Sequence, residues 1–125
     1  MGDFMSAEMY REHILEHYRN PHNFGYLENP DKVHTEVNHV CGDSLTIQIS
    51  LENEKIKEVR FNGHGCAISM ASASLLTDDI KDKNIKEIKL LNKEYLLGLL
   101  KIPISHARLK CALLPLDALL AALKK

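Results

Sequence analysis

The residues of this chain most suited to chemistry are its three cysteines, two of which lie in glycine-rich motifs. These motifs are Cys41-Gly42-Asp43 and Gly63-His64-Gly65-Cys66, and the third cysteine, Cys111, follows a lysine. A thiolate is both a soft metal ligand and a sulfur nucleophile. Three thiols beside one carboxylate, that of Asp43, are therefore typical of zinc binding, iron–sulfur chemistry or sulfur transfer between proteins.

Each motif also has a plain structural interpretation. Asp43 could be a turn aspartate that accepts local backbone hydrogen bonds, and Cys66 taken alone could be a small buried core residue. The cysteines are 25 and 45 positions apart, and these spacings match no zinc finger or ribbon. In favour of a metal site, the glycines let the backbone bend toward one point, and a helix start at Cys66 would favour its thiolate.

Composition limits the possible functions. The chain has 125 residues, of which 45% are hydrophobic, which predicts one domain over residues 1–125. The net charge is −1 without a basic stripe, so a nucleic-acid partner is not expected. The start lacks a signal-peptide pattern and no apolar run reaches membrane-spanning length, so we expect a cytoplasmic protein without a membrane partner. An odd cysteine count in that compartment argues against a disulfide framework.

Hydrophobic periodicity predicts an initial helix and then a three-stranded meander. The helix covers Ser6 to Tyr18, with Met9, Tyr10, Ile14 and Tyr18 on its apolar face. An ordered loop from Pro21 to Pro30 follows. Strands are expected around Val33 to Val40, along the alternation Leu45, Ile47, Ile49 and Leu51, and through Ile56, Val59 and Phe61, with a hairpin turn at Asn53-Glu54.

The remaining sequence predicts helices. One begins at Cys66 and continues through the small residues up to Leu76, a second covers Lys93 to Leu100, and a last amphipathic helix covers Leu113 to Leu123. Pro115 is unfavourable inside a helix and costs about 3 kcal/mol there. The last helix is therefore expected to begin near Pro115 or to bend at it.

Four motifs in this order resemble the U-type iron–sulfur cluster assembly scaffolds, a family that includes IscU, SufU and the N-terminal domain of NifU. The matching stretches are His17-Tyr18-Arg19-Asn20-Pro21-His22-Asn23-Phe24-Gly25, Asn38-His39-Val40-Cys41-Gly42-Asp43, the segment from Phe61 to Ser74 around Cys66, and Arg108-Leu109-Lys110-Cys111. The resemblance extends over nearly the whole chain. Four ordered motifs in a chain of this size are far more specific than any one of them.

The resemblance implies an α+β domain with a three-stranded antiparallel sheet and helices packed on it. It implies that Cys41, Asp43, Cys66 and Cys111 hold a transient [2Fe-2S] cluster, or zinc when the cluster is absent. Sulfur would arrive as a persulfide from a cysteine desulfurase on one of the three thiols, Cys41, Cys66 or Cys111. The further partners would be apo iron–sulfur acceptor proteins, with an iron donor, an electron donor and self-association also possible.

The chain combines features of two branches of that family. The residues that follow Cys66 and the Arg108-x-x-Cys111 spacing resemble SufU, whereas the absence of an insertion between the second and third cysteines gives the length of IscU. Lys110 replaces the histidine that precedes the last cysteine in IscU, and it either favours the thiolate of Cys111 or is simply solvated. The chaperone-binding segment of IscU is replaced by residues 100–104, in which Ile102 and Ile104 either dock a partner or pack in the core.

Some residues near the cysteines have ordinary explanations. His39 and His64 are expected to be solvated, and His106 is a reserve ligand five positions before Cys111. Arg108 either steadies the site or lies on the surface.

Three functional classes remain: an assembly scaffold, a zinc-containing sulfur carrier that stimulates a desulfurase, and a structural zinc domain. Asp43 argues against the structural class, because closed structural zinc sites use cysteine and histidine. No nucleophile triad or carboxylate pair indicates a hydrolase. The leading hypothesis is the scaffold, which is not a turnover enzyme in the ordinary sense, and the sulfur carrier is the alternative.

Overall fold

The structure is a computed structural model that describes the backbone of residues 3–125 and side chains from residue 11 onward. The elements in chain order are α1 (Asp3–Arg19), β1 (Lys32–Asn38), β2 (Asp43–Glu52), β3 (Lys55–His64), α2 (Ala67–Ile80), α3 (Ile85–Ile88), α4 (Lys93–Leu100), a 3₁₀ turn (His106–Arg108) and α5 (Leu109–Lys124). The strands form one antiparallel sheet in the order β1-β2-β3. The expected α+β class and three-stranded antiparallel sheet are confirmed.

The sheet is a meander in which β2 and β3 form the tighter pair. Their turn residues Asn53 and Glu54 have φ angles of 54° and 62°, as a two-residue hairpin turn requires. The predicted turn is therefore confirmed. A register shift between Ser50 and Leu51 inserts one extra residue into β3, so Ile56 and Val59 both reach the core although they are three positions apart.

The core lies between one face of the sheet and the helices. Leu45, Ile47 and Ile49 of β2 are buried in one hydrophobic cluster with residues of α2, α4 and α5. Small side chains on α2 allow α5 to approach closely, and the hydroxyl of Ser72 donates a 2.7 Å hydrogen bond to the carbonyl of Ala112. Among the described residues, no helix has the length and apolar character needed to cross a bilayer.

Helix α1 is present as expected, but its buried face differs from the prediction. Ile14 is 3% exposed and His17 is 5% exposed, whereas Tyr18 is 44% exposed. The side chain of Tyr18 therefore does not belong to the packed face. The side chains of Met9 and Tyr10 lie outside the described residues.

The other corrections concern element ends. Strand β1 ends at Asn38, two residues earlier than expected, because the backbone turns there and Gly42 N donates to the Asn38 carbonyl. Helix α5 begins at Leu109, so the expectation of a start near Pro115 is wrong. Since proline has no N–H, the carbonyl of Cys111 receives no helical hydrogen bond from position 115. Helix α4 has the predicted bounds, and α3 and the 3₁₀ turn were not predicted.

Residues 21–30 form the ordered loop, here called the edge loop, and its first half covers the outer edge of β3. Gly25 N donates to the Phe61 carbonyl at 2.8 Å, and Phe61 N donates to the Asn23 carbonyl at 3.0 Å. The rings of Phe24 and Phe61 meet edge to face at 5.4 Å. Farther along the loop, the backbone N–H of Leu27 donates to Oε1 of Gln48 in β2. This contact holds the loop against β2 before the chain enters β1.

Several polar contacts hold the edge loop and α1 against α2. The Ser74 hydroxyl lies 2.6 Å from Nδ1 of His17 and accepts a 2.8 Å hydrogen bond from the backbone N–H of His22. Asn23 donates to Thr77 and Asp78, each at 3.0 Å. Burial, together with neighbouring histidines, lowers the pKa of His17, so this buried ring favours its neutral form.

Candidate metal centre

Three of the four predicted ligands converge at one end of the sheet. The ligand atoms of Cys41, Asp43 and Cys111 all lie within 4.8 Å of one another, the only such group of three or more potential metal ligands in the described part of the chain. The sulfurs of Cys41 and Cys111 are 3.6 Å apart. Cys41 follows β1, Asp43 begins β2 and Cys111 lies in the first turn of α5, so the fold alone brings them together.

The turn between β1 and β2 places Cys41 next to Asp43. Gly42 adopts a φ of 79°, a left-handed conformation that favours glycine. Asp43 pairs with Asn38 in the antiparallel register. Cys41 therefore lies at the exposed tip of the turn, whereas Asp43 lies in the first ladder position of β2.

Asp43 is held in place by Ser69, a residue that the sequence reasoning missed. Asp43 is only 6% exposed, and the Ser69 hydroxyl is buried 3.1 Å from its Oδ2. The same hydroxyl lies 3.1 Å from the Cys66 carbonyl, so one proton serves two acceptors. The position of Ser69 three residues after the residue that caps α2 is the sequence signal that could have found it.

Gly65 allows the chain just after β3 to approach Asp43 and Ser69 closely. A Cβ at position 65 would lie 2.4 Å from Oγ of Ser69 and 3.0 Å from Cγ of Asp43. Either distance is too short for ordinary packing, so a larger residue would displace the carboxylate or its hydroxyl partner. The glycine of the predicted motif therefore provides space for Asp43.

Cys66, the fourth predicted ligand, lies beside the group of three. It occupies the N-cap position at the start of α2, as expected, with extended φ and ψ of −72° and 170°, and its side chain makes no capping hydrogen bond. Its sulfur is 3.8 Å from Oγ of Ser69. Cys66 also contributes to the raised pKa of Cys111, but it is not one of the three residues whose ligand atoms lie within 4.8 Å of one another.

Cys111 is the most enclosed of the thiols, with 4% of its surface exposed. Burial raises its pKa to about 12, and hydrogen bonds with Cys41 and Cys66 act in the same direction. A metal that binds Cys111 must displace this proton. Lys110 is exposed, and the raised pKa fits the alternative in which that lysine is solvated.

The other residues considered near the cysteines do not join the group. His39, His64, His106 and Arg108 are all exposed. Ile102 and Ile104 are partly buried against a cluster that contains Ile14 and Leu100, which favours core packing over docking.

The group of three and the neighbouring Cys66 together form a candidate cluster of three soft sulfur donors and one hard oxygen donor. Thiolates suit zinc and the iron of iron–sulfur clusters, whereas a carboxylate binds cluster iron less firmly. The exposed turn at Cys41 leaves one side of the cluster accessible from solvent, while Asp43 and Cys111 are buried. This arrangement can hold a metal and exchange it with a protein that approaches from that side.

Comparisons with known proteins agree with this geometry. Residues 9–125 match the model of the NifU-like N-terminal domain. The chain is 35% identical to the zinc-dependent sulfurtransferase SufU of Bacillus subtilis over 89% of this chain and 86% of that protein. It is 33% identical to the iron–sulfur cluster assembly scaffold protein IscU 1 of Archaeoglobus fulgidus over 92% of this chain and 74% of that protein.

A structural comparison extends the similarity to the whole architecture. The N-terminal NifU-like protein of Brucella abortus superposes with a TM-score of 0.77 over 96% of this chain and 95% of that chain. Its sequence identity is 22%, so this likeness concerns the fold. The family resemblance derived from the four motifs is thus confirmed, and this chain belongs to the family of NifU-like N-terminal domains.

Proposed function

We propose that this chain is a scaffold on which a [2Fe-2S] cluster is assembled and then passed to apo iron–sulfur proteins. The proposed ligands are Cys41, Asp43, Cys66 and Cys111. The IscU relative is named as a scaffold of this kind, which supports the proposal. The cluster is cargo in this function, so the site must both hold it and release it.

The observation that carries this proposal is the buried carboxylate of Asp43 next to two thiols. A site built for permanent retention is better served by a fourth thiolate or an imidazole. Here one ligand is a hard oxygen, held by Ser69 within 4.8 Å of the sulfurs of Cys41 and Cys111. A weaker fourth bond lowers the cost of transferring the cluster.

Sulfur delivery in this proposal is an exchange between two proteins. A thiolate of the chain attacks the outer sulfur of the desulfurase persulfide, a new S–S bond forms, and the desulfurase cysteine leaves as a thiolate. Cys41 is the best placed acceptor because it is exposed, whereas Cys111 is buried. Each transferred sulfur then needs two electrons to become sulfide, so an electron donor is required in addition to iron.

A second function is a zinc-containing sulfur carrier that stimulates a cysteine desulfurase. The same four residues would hold the zinc, because thiolates and a carboxylate are donors that zinc accepts, and the SufU relative is named a zinc-dependent sulfurtransferase. In this alternative the zinc would stay on the protein, and one of the three thiols would accept the sulfur. Lys110 and the solvent-exposed Cys41 are compatible with either function.

Anaerobic reconstitution distinguishes the two proposals. The chain is incubated with ferrous iron, cysteine, a desulfurase and a reductant, and bound iron, sulfide and zinc are quantified with the visible spectrum. Stoichiometric iron and sulfide that move to an apo-ferredoxin support the scaffold. Firmly held zinc without a cluster, together with faster desulfurase turnover, supports the carrier.

Variants assign the ligands. Serine at Cys41, Cys66 or Cys111 is expected to abolish cluster retention, and Asp43→Ala is expected to retain a cluster but to slow its transfer. Asp31→Ala is the matched control, because this exposed aspartate only accepts from Leu51 N at the far end of the sheet. Normal retention in all three serine variants would contradict the ligand assignment.

A further inference from the structure

The outer edge of β1 has no strand partner among the residues that the structure describes, because the sheet order is β1-β2-β3. Which residues of β1 point their N–H and carbonyl groups toward this open edge can be deduced from β3, the strand at the opposite edge of the sheet. Phe61 of β3 turns both its N–H and its carbonyl outward, to Asn23 and Gly25. In an antiparallel ladder this direction alternates along each strand, so the residues on either side of Phe61 bond to β2.

The same alternation in hydrogen-bond direction can be followed through the strand register from β3 to β1. Thr46 and Gln48 lie opposite the residues that flank Phe61, so they bond to β3, and the intervening residues of β2 bond to β1. Consequently Val33, Thr35 and Val37 point their N–H and carbonyl groups toward the open edge. In agreement, the carbonyl of Val33 accepts a 3.2 Å hydrogen bond from the terminal Lys125 side chain.

The sequence of β1 is self-complementary about Thr35 if a second copy pairs with it in antiparallel orientation. In that register Thr35 faces Thr35 of the partner subunit, and Val33 faces Val37 of the partner subunit. Val33 and Val37 are 41% and 40% exposed, so each has apolar surface left to bury. Cross-strand pairs of β-branched residues are a favourable form of sheet contact.

Charge on the other face of β1 follows the same symmetry. The first half of the strand carries Lys32 and His34, and the second half carries Glu36, next to Asp117 of α5. His34 Nε2 and Glu36 Oε1 already pair within one chain at 2.8 Å, and antiparallel pairing places each of them opposite the other residue type of the partner subunit. Lys32 faces Asn38 of the partner subunit, so no like charges lie directly opposite each other in this isologous register.

We infer that two copies of this chain associate through β1, around a two-fold axis at Thr35, so that one continuous sheet runs through both. The pairs at positions 33, 35 and 37 can each form two backbone hydrogen bonds. The Lys125 side chain must release the carbonyl of Val33 when the dimer forms. The free-energy cost of this step is small because Lys125 is exposed. The contact is small, so the expected dimer is reversible and depends on concentration.

This dimer goes beyond the proposed function and does not depend on it. Thr35 lies three residues from the end of β1, about 10 Å along the strand. The two metal centres therefore lie at opposite ends of the paired strands, and both remain accessible. No ligand of either centre comes from the partner subunit in this arrangement.

Amide hydrogen exchange of the unmodified, reduced chain tests the inference without any substitution. At low micromolar concentration the amides of Val33, Thr35 and Val37 should exchange rapidly, whereas those of His34 and Glu36, bonded to β2, are protected. At millimolar concentration the three outer amides should become at least ten-fold slower. Sedimentation velocity over the same range should show a monomer–dimer equilibrium.

Substitutions test the register. Thr35→Pro removes an outward N–H that β2 does not use, so it should leave the fold intact and weaken the dimer at least ten-fold. The double variant Val33→Lys/Val37→Lys should also be monomeric, and Val33→Lys/Val37→Glu should restore the dimer through two opposite-charge pairs. A chain that stays monomeric at millimolar concentration, or a dimer insensitive to Thr35→Pro and to the charge pattern, overturns the inference.

Discussion

The two edges of the sheet are treated in opposite ways. The edge of β3 is covered by the edge loop, which supplies backbone partners to Phe61, whereas the edge of β1 exposes its outward groups apart from the one carbonyl that Lys125 reaches. Open edges are available for pairing with other chains, and natural proteins usually cover or charge them. Within the described part of the chain only the β3 edge is covered, which indicates that the β1 edge is available for contact.

This difference continues into the candidate metal centre, because each edge strand leads to one of its cysteines. Cys66 follows the covered strand β3 and is partly buried beside Ser69, whereas Cys41 follows the open strand β1 and is exposed. The covered side therefore keeps Cys66 in a partly buried position. The open side presents a thiol to incoming molecules.

The largest expected effect is on the covered edge. Phe61 is fully buried and packs against Phe24, so Phe61→Ala should decrease the free energy of unfolding by about 3–5 kcal/mol. Val37→Ala, its counterpart on the open edge, should cost less than about 1 kcal/mol, measured at low protein concentration. Urea unfolding of both variants measures the difference, and equal losses would contradict the distinction between the edges.

The next effect concerns Ser69, on the covered side of the candidate metal centre. Ser69→Ala removes the hydroxyl that holds Asp43, so zinc affinity should fall about 10- to 100-fold while the fold is retained. Ser105→Ala is the control, because this exposed serine makes no side-chain capping bond. Competition with a chelating indicator measures both affinities. Unchanged affinity in Ser69→Ala would mean that Asp43 needs no such support.

The sequence predicted much of this arrangement, but not the contacts between distant segments. The alternation of Leu45, Ile47 and Ile49 and the turn at Asn53 identified the meander, because those signals are local. Ser69 was missed because its role depends on Asp43, which lies 26 positions away. The unpaired edge of β1 could not be predicted from the sequence either, because the residues of a strand do not reveal which strands lie beside it.

A smaller effect should follow from weakening the edge loop itself. Asn23 has a φ of 65° and donates to Thr77 and Asp78. Asn23→Ala removes these bonds and leaves alanine in a left-handed conformation, so the free energy of unfolding should fall by about 1–3 kcal/mol. Asn29→Ala, an exposed site in the same loop, is the control. Thermal unfolding separates the two, and an equally small change in both would exclude anchoring by Asn23.

The smallest expected effect is a dependence of the covered edge on pH. Because burial and the neighbouring His13 and His22 lower the pKa of His17, the unfolded chain binds more protons than the folded chain just below the ordinary histidine pKa of 6.5. The stabilisation from neutral His17 is therefore complete above that value and decreases as the pH falls through it. His17→Gln should flatten the slope of unfolding free energy against pH between about 7 and 5, whereas the exposed control His39→Gln should not. If both variants kept the wild-type slope, protonation of His17 would not control how firmly α1 and the edge loop are held to α2.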